Sequence, residues 1–144
     1  MSLGGGGGGQ MQQVAQQIEQ LEQTKEAIEA EIETLEEEKR DIDEAIDAID
    51  QLDSGSTVQV PIGGGAYVRA EVQDIDEVIV DLGADYSAER DQEGAKSSLE
   101  TKQEKLDDQI DDLRSEIAEV ETQVQELEQE AEQMQAQQMQ QLQQ

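Results

Sequence analysis

A seven-residue hydrophobic repeat runs through this chain twice, and it excludes most folds. In the first stretch the a positions are Met11, Ile18, Lys25, Ile32, Lys39 and Ile46, and the d positions are Val14, Leu21, Ile28, Leu35, Ile42 and Ile49. In the second, Leu99, Leu106, Leu113, Val120, Leu127 and Met134 are at d. Gln103, Ile110, Ile117, Val124 and Ala131 are at a. A stripe with this period is buried only by another helix coiling against it.

The first helix is expected over 11–53, stopping at "DSGS", where Gly55 can take the left-handed conformation that ends a helix. The second is expected over 89–144, with Asp91 as its N-cap or "SSLE" (Ser97 to Glu100) as a capping box. After Met134 the phase slips, so Met139 and Leu142 leave the seam and the Gln-rich end is expected to fray. Residues 1–10, with the run Gly4 to Gly9, read as a flexible tail. Pairing the inner ends, Leu52 with Gln92, places Met11 beside about Gln133 in an antiparallel pair, each helix about 60 Å long at 1.5 Å per residue.

Lys25 and Lys39 interrupt the a row. Their stems can lie along the seam while the ammonium groups reach Glu22, Glu29, Glu36 or Asp43, which would control register.

Between the helices, over 54–88, the period changes to two. "TVQVPI" puts Val58, Val60 and Ile62 on one face, and "GGG" (Gly63 to Gly65) suits a hairpin turn. "AYVRAEV" then places Val68, Ala70 and Val72 together, and "EVIVDL" does so for Val78, Val80 and Leu82. "GADYSA" turns into a short fourth strand. Pro61 confines its strand to an edge or an end. Two hairpins this short cannot bury a core alone, and their open edges suit joining other chains. The fold class is α+β: a long antiparallel coiled-coil hairpin with two small β-hairpins between the helices.

Composition narrows the function. With 9 basic against 37 acidic residues the net charge is −28, which opposes binding to nucleic acid or anionic membrane surfaces. There is no cysteine or histidine, so no thiol chemistry and no nucleophile–base pair. No cofactor and no catalysis are expected. "DIDEAIDAID" imitates a calcium loop, but Ile46 stands at the required glycine and Leu52 at the bidentate glutamate, so no metal site is read. No apolar run is long enough for a membrane span and the start lacks signal-peptide features, so a cytoplasmic location is expected. So large an acid excess, self-repelling in dilute buffer and screened in molar salt, predicts a salt-adapted protein.

Two heptad helices flanking "VPIGGGAYVRAEV" and "DEVIVDLGADYSAERD" closely resemble the archaeal prefoldin α class, over Met11 to about Leu142. The resemblance implies a hexamer of two α and four β subunits whose hairpins form an inter-subunit β-barrel. It also implies an ATP-independent holdase that captures unfolded clients at the coiled-coil tips and passes them to a group II chaperonin. On this reading Val58, Val60, Ile62, Val68, Ala70, Val72, Val78, Val80 and Leu82 serve subunit assembly. Met11, Val14, Met134, Met139 and Leu142 would form a soft apolar tip for clients. The competing reading is a structural coiled-coil adaptor with one defined partner.

Overall fold

The computed structural model describes residues 5–143. The order is α1 (Gly5–Gln51), β1 (Thr57–Gly63), β2 (Ala66–Glu71), β3 (Val78–Gly83), β4 (Tyr86–Arg90) and α2 (Gln92–Gln143). The chain divides into two compact units: α1 up to Thr34 with α2 from Gln109, and Leu35–Asp108.

In the first unit the seam buries Val14, Ile28 and Ile32 of α1 and Ile110 and Val120 of α2, all of them a or d residues. Lys25 reaches across the seam, its Nζ 3.0 Å from Glu121 Oε1, and lies 3.9 Å from Glu29. Fourteen residues before Lys25 is Met11 and fourteen after Glu121 is Gln135, so this register sets Met11 two residues past the expected Gln133.

In the second unit the core is Ile42, Val80, Ala95, Leu99 and Leu106, with Leu35, Ala45, Ile46, Ile49 and Val78 packed against it. Lys39 pairs with Asp107 of α2 and not with Asp43. Asp43 instead accepts from Gln103 Nε2. An a-position lysine on one helix points toward its partner helix, so its shortest ion pair is with a cross-helix acid.

Each strand pair is its own two-stranded antiparallel sheet. Val58 faces Ala70 and Val60 faces Val68 on one side of β1–β2, with Gln59 opposite Arg69 and Pro61 opposite Tyr67 on the other. In β3–β4, Val80 faces Ala88 and Asp81 faces Ser87. The fourth strand does form, and its turn uses left-handed φ at Ala84 (51°) and Asp85 (62°). Asp81 Oδ1 steadies that turn by accepting from the Gly83 N–H at 2.9 Å.

Four boundaries differ from expectation, one of them the end of α1, at Gln51 and not 53. Glu89 and Arg90 belong to β4, because Asp91 caps α2: its Oδ1 accepts from the Gly94 N–H at 2.7 Å. The helix also starts before Met11, taking in Gly5 to Gln10 in place of the expected tether. Adding residues to an existing helix costs far less than nucleating one. The Gln-rich end continues as helix to Gln143 for the same reason, although its exposed face adds no packing. Residues 1–4 of the expected tail, and Gln144, lie outside the described residues.

Candidate assembly and client-contact surfaces

The alternating pattern that unites nine assembly residues in the sequence is divided by the structure. Val80 is 4% exposed and Val78 packs beside it, so both belong to the chain's own core. They hold β3–β4 on the two helices instead of presenting it to another chain. Lys102 reinforces the attachment by donating from Nζ to the Asp81 carbonyl oxygen at 2.9 Å. Leu82, next along the same face, is exposed.

The β1–β2 hairpin has no such anchor. Val60, Ile62 and Val68 are exposed, Ile62 by 67%, while Val58, Ala70 and Val72 are half-buried. An apolar sheet face left uncovered by its own chain is the physical signature of an interface. The edges point the same way. Val72 donates to the Ser56 carbonyl and accepts from the Gly55 N–H, so its main-chain groups face β1. Strand alternation then turns Glu71, Arg69 and Tyr67 outward. Pro61, opposite Tyr67, puts its missing N–H on the outer edge of β1. The β2 edge therefore offers a complete row of donors and acceptors, and the β1 edge does not.

Sequence reasoning missed three exposed residues of the hairpins: Tyr67 of β2, Ile79 of β3 and Tyr86 of β4. The signal for Tyr67 was its position opposite Pro61 across the glycine turn. Ile79 lies on the face of β3 that its neighbours Val78 and Val80 do not share, 74% exposed among polar residues.

The five expected client contacts also divide. Val14 is buried in the seam, and Met11 and Met134 are half-buried at seam positions. Met139 and Leu142 are exposed, Leu142 by 85%. All five lie in the unit that holds both chain ends.

A third feature was not anticipated. Gln92, the first residue of α2, donates from Nε2 to the carbonyl oxygens of Ile49 (2.7 Å) and Leu52 (3.1 Å). It thereby satisfies carbonyls that the end of α1 would otherwise leave unpaired. Beside it, Lys96 Nζ lies 2.6 Å from Asp50 Oδ1 and 3.0 Å from Glu93. The hydrogen bond to Asp50, then that to Glu93, holds the Lys96 ammonium above its ordinary value. The bond to Glu121 does the same for Lys25.

Among the described residues no group of three or more His, Cys, Asp or Glu could hold a metal ion, and no helix is long and apolar enough to cross a membrane.

Two long helices with two small antiparallel strand pairs between them define the coiled-coil hairpin fold of prefoldin-type chaperone subunits. The Prefoldin subunit family model matches residues 21–137, and the chain belongs to that family. It is 62% identical over 103 residues to prefoldin subunit alpha of Halobacterium salinarum, covering 72% of this chain and 67% of that protein. It is 60% identical over 102 residues to that of Halorubrum lacusprofundi, covering 71% and 67%. A shorter match to the Haloarcula marismortui subunit is 70% identical over 57 residues, covering 40% of this chain and 37% of the relative. These relatives come from halophilic archaea. Among solved structures, one chain of filamentous PFD from Methanocaldococcus jannaschii aligns with a TM-score of 0.54 at 30% identity, covering 81% of this chain and 93% of that one.

Proposed function

We propose that this chain is the α-class subunit of an ATP-independent holdase. It joins β-class subunits, two α with four β, through its hairpins. It holds unfolded clients at the helix ends that carry its termini and passes them to a group II chaperonin in the cytoplasm. The observation that carries the assembly half is the uncovered apolar face of β1–β2, Val60, Ile62 and Val68, beside a sheet whose equivalent face is already buried. The exposed Met139 and Leu142 support the client half, since flexible thioethers and isolated aliphatics accommodate many partners.

The test is reconstitution with a β-class prefoldin subunit in molar salt, followed by light scattering from a chemically unfolded client without ATP. The expected outcome is suppressed aggregation, lost when residues 135–144 are deleted. A stable complex that leaves aggregation unchanged would select the adaptor role instead.

A further inference from the structure

Polar side-chain pairs link α1 to α2, and they all keep one count. Lys25 pairs with Glu121, Lys39 with Asp107, Asp43 with Gln103 and Asp50 with Lys96. Each step forward along α1, of fourteen, four and seven residues, is matched by the same step backward along α2. Lys25–Glu121 belongs to one compact unit and the other pairs to the second, so each unit keeps the same count. The e positions of α2 read Glu100, Asp107, Arg114, Glu121 and Glu128. The basic residue among these acids comes level, by that count, with Ile32, the apolar a residue between Lys25 and Lys39.

The apolar rows cannot fix this register by themselves. They repeat every seven residues, so sliding α2 by one heptad sets apolar residues against apolar residues again. Charge distinguishes the pairings. In one slipped pairing Lys25 comes level with Arg114 and Lys39 with Glu100. In the opposite one Lys39 comes level with Arg114 and Lys25 with Glu128. An acid at position 114 would give both lysines an acidic partner in all three pairings. Arginine there breaks that equivalence in both directions, and it leaves the ion pairs of the observed register, to Glu121 and Asp107, untouched.

We infer that Arg114 specifies the register of the helix pair, by setting like charge against Lys25 or Lys39 whenever α2 slips by one heptad. Gln92 and Lys96 tie the helices where the hairpins emerge. Arg114 acts further along α2, in the unit that holds both chain ends. Register matters there because one heptad is about 10 Å of helix, so a slip displaces Met139 and Leu142 by that distance along α1. Exchanging a like-charge contact for an exposed ion pair shifts the balance between two registers by about fivefold.

The chain has no cysteine, so introduced pairs report the register directly. By the same count, Ile18→Cys with Leu127→Cys closes a disulfide in the observed pairing. Ile18→Cys with Val120→Cys, or with Met134→Cys, closes one only after a slip of one heptad. Each pair is placed in the full chain and oxidised in a glutathione buffer containing molar potassium chloride, and the intramolecular product is measured by mass spectrometry. With Arg114 in place, the 18–127 disulfide should dominate. Arg114→Glu should raise the slipped products about fivefold relative to it, and Arg114→Lys should not. Lys25→Glu with Lys39→Glu keeps Arg114 but turns its repulsion into attraction, so it should raise the same products. Circular dichroism identifies which variants remain helical. Slipped products left unchanged in either helical variant overturn the inference. A rise with Arg114→Glu that persists after Lys25→Ile and Lys39→Ile also overturns it, because the lysines are then not what Arg114 opposes.

Discussion

Gln92 Nε2 lies 2.7 Å from the carbonyl oxygen of Ile49 and 3.1 Å from that of Leu52, so the first residue of the second helix caps the last turn of the first. The contact joins positions 43 and 40 residues apart and ties the two helices where the hairpins emerge. Gln92→Leu keeps the volume and removes both donors, leaving part-buried carbonyls to find water. The expected loss is about 1–3 kcal/mol, read as a lower urea midpoint in molar salt. Gln92→Glu should lose as much, since a carboxylate cannot donate.

The two hairpins should respond oppositely to substitution. Val80→Ala removes buried methyl groups from the core with Ile42, Ala95, Leu99 and Leu106, and should destabilise the chain by roughly 1–2 kcal/mol. Ile62→Ser with Val68→Ser should change the isolated chain's stability by no more than about 0.5 kcal/mol, as exposed positions do. The same pair should abolish complex formation with a β-class subunit in size-exclusion chromatography. If it leaves the complex intact, the β1–β2 face is not the interface.

Alkaline pH should weaken the helix pair through Lys25 and Lys96. Both ammonium groups are held above the ordinary 10.5, Lys25 mainly by its hydrogen bond to Glu121 and Lys96 by that to Asp50. A group whose folded value is raised contributes fully below the unfolded value, and the contribution disappears as pH climbs through the folded one. The thermal midpoint should therefore be insensitive to these groups between about pH 7 and 9 and fall above 10.5. The comparison that decides is with Lys25→Met, Lys96→Met. That variant should show a smaller alkaline fall. Because the pairs are solvent-accessible, the difference should shrink as salt is added.

Salt should govern the fold as a whole. With a net charge of −28, self-repulsion is screened only when the Debye length approaches about 3 Å, near 1 M salt. Helix content by circular dichroism should fall on dialysis into millimolar salt and return when salt is restored. Full helicity in dilute buffer would show that the seam alone outweighs the repulsion.

The period-seven rows, the two hairpins with Val58, Val60 and Val68 sharing a face, and the Asp91 cap were legible in the residues themselves. Each depends on neighbours within a few positions: 3.6-residue and two-residue periods follow from backbone geometry, and a cap satisfies N–H groups three residues away. The prefoldin resemblance was legible for the same reason, being carried by contiguous runs. The candidate site was read less well. Val78 and Val80 have the same alternation as Val58 and Val60, and nothing local states which hairpin the helices will cover.

Tertiary structure decided that question, and with it which residues remain for partners. It turned Val80 into core and left Ile62 and Val68 in solvent, because only β3–β4 rests on the two helices and is fastened by Lys102. It chose Glu121 and Asp107 as partners for Lys25 and Lys39, since an a-position side chain meets whatever the opposing helix presents at that height. It also employed Gln92 and Gln103 on main-chain carbonyls far away in the sequence. All these outcomes depend on distances between residues far apart along the chain, which a local period cannot encode.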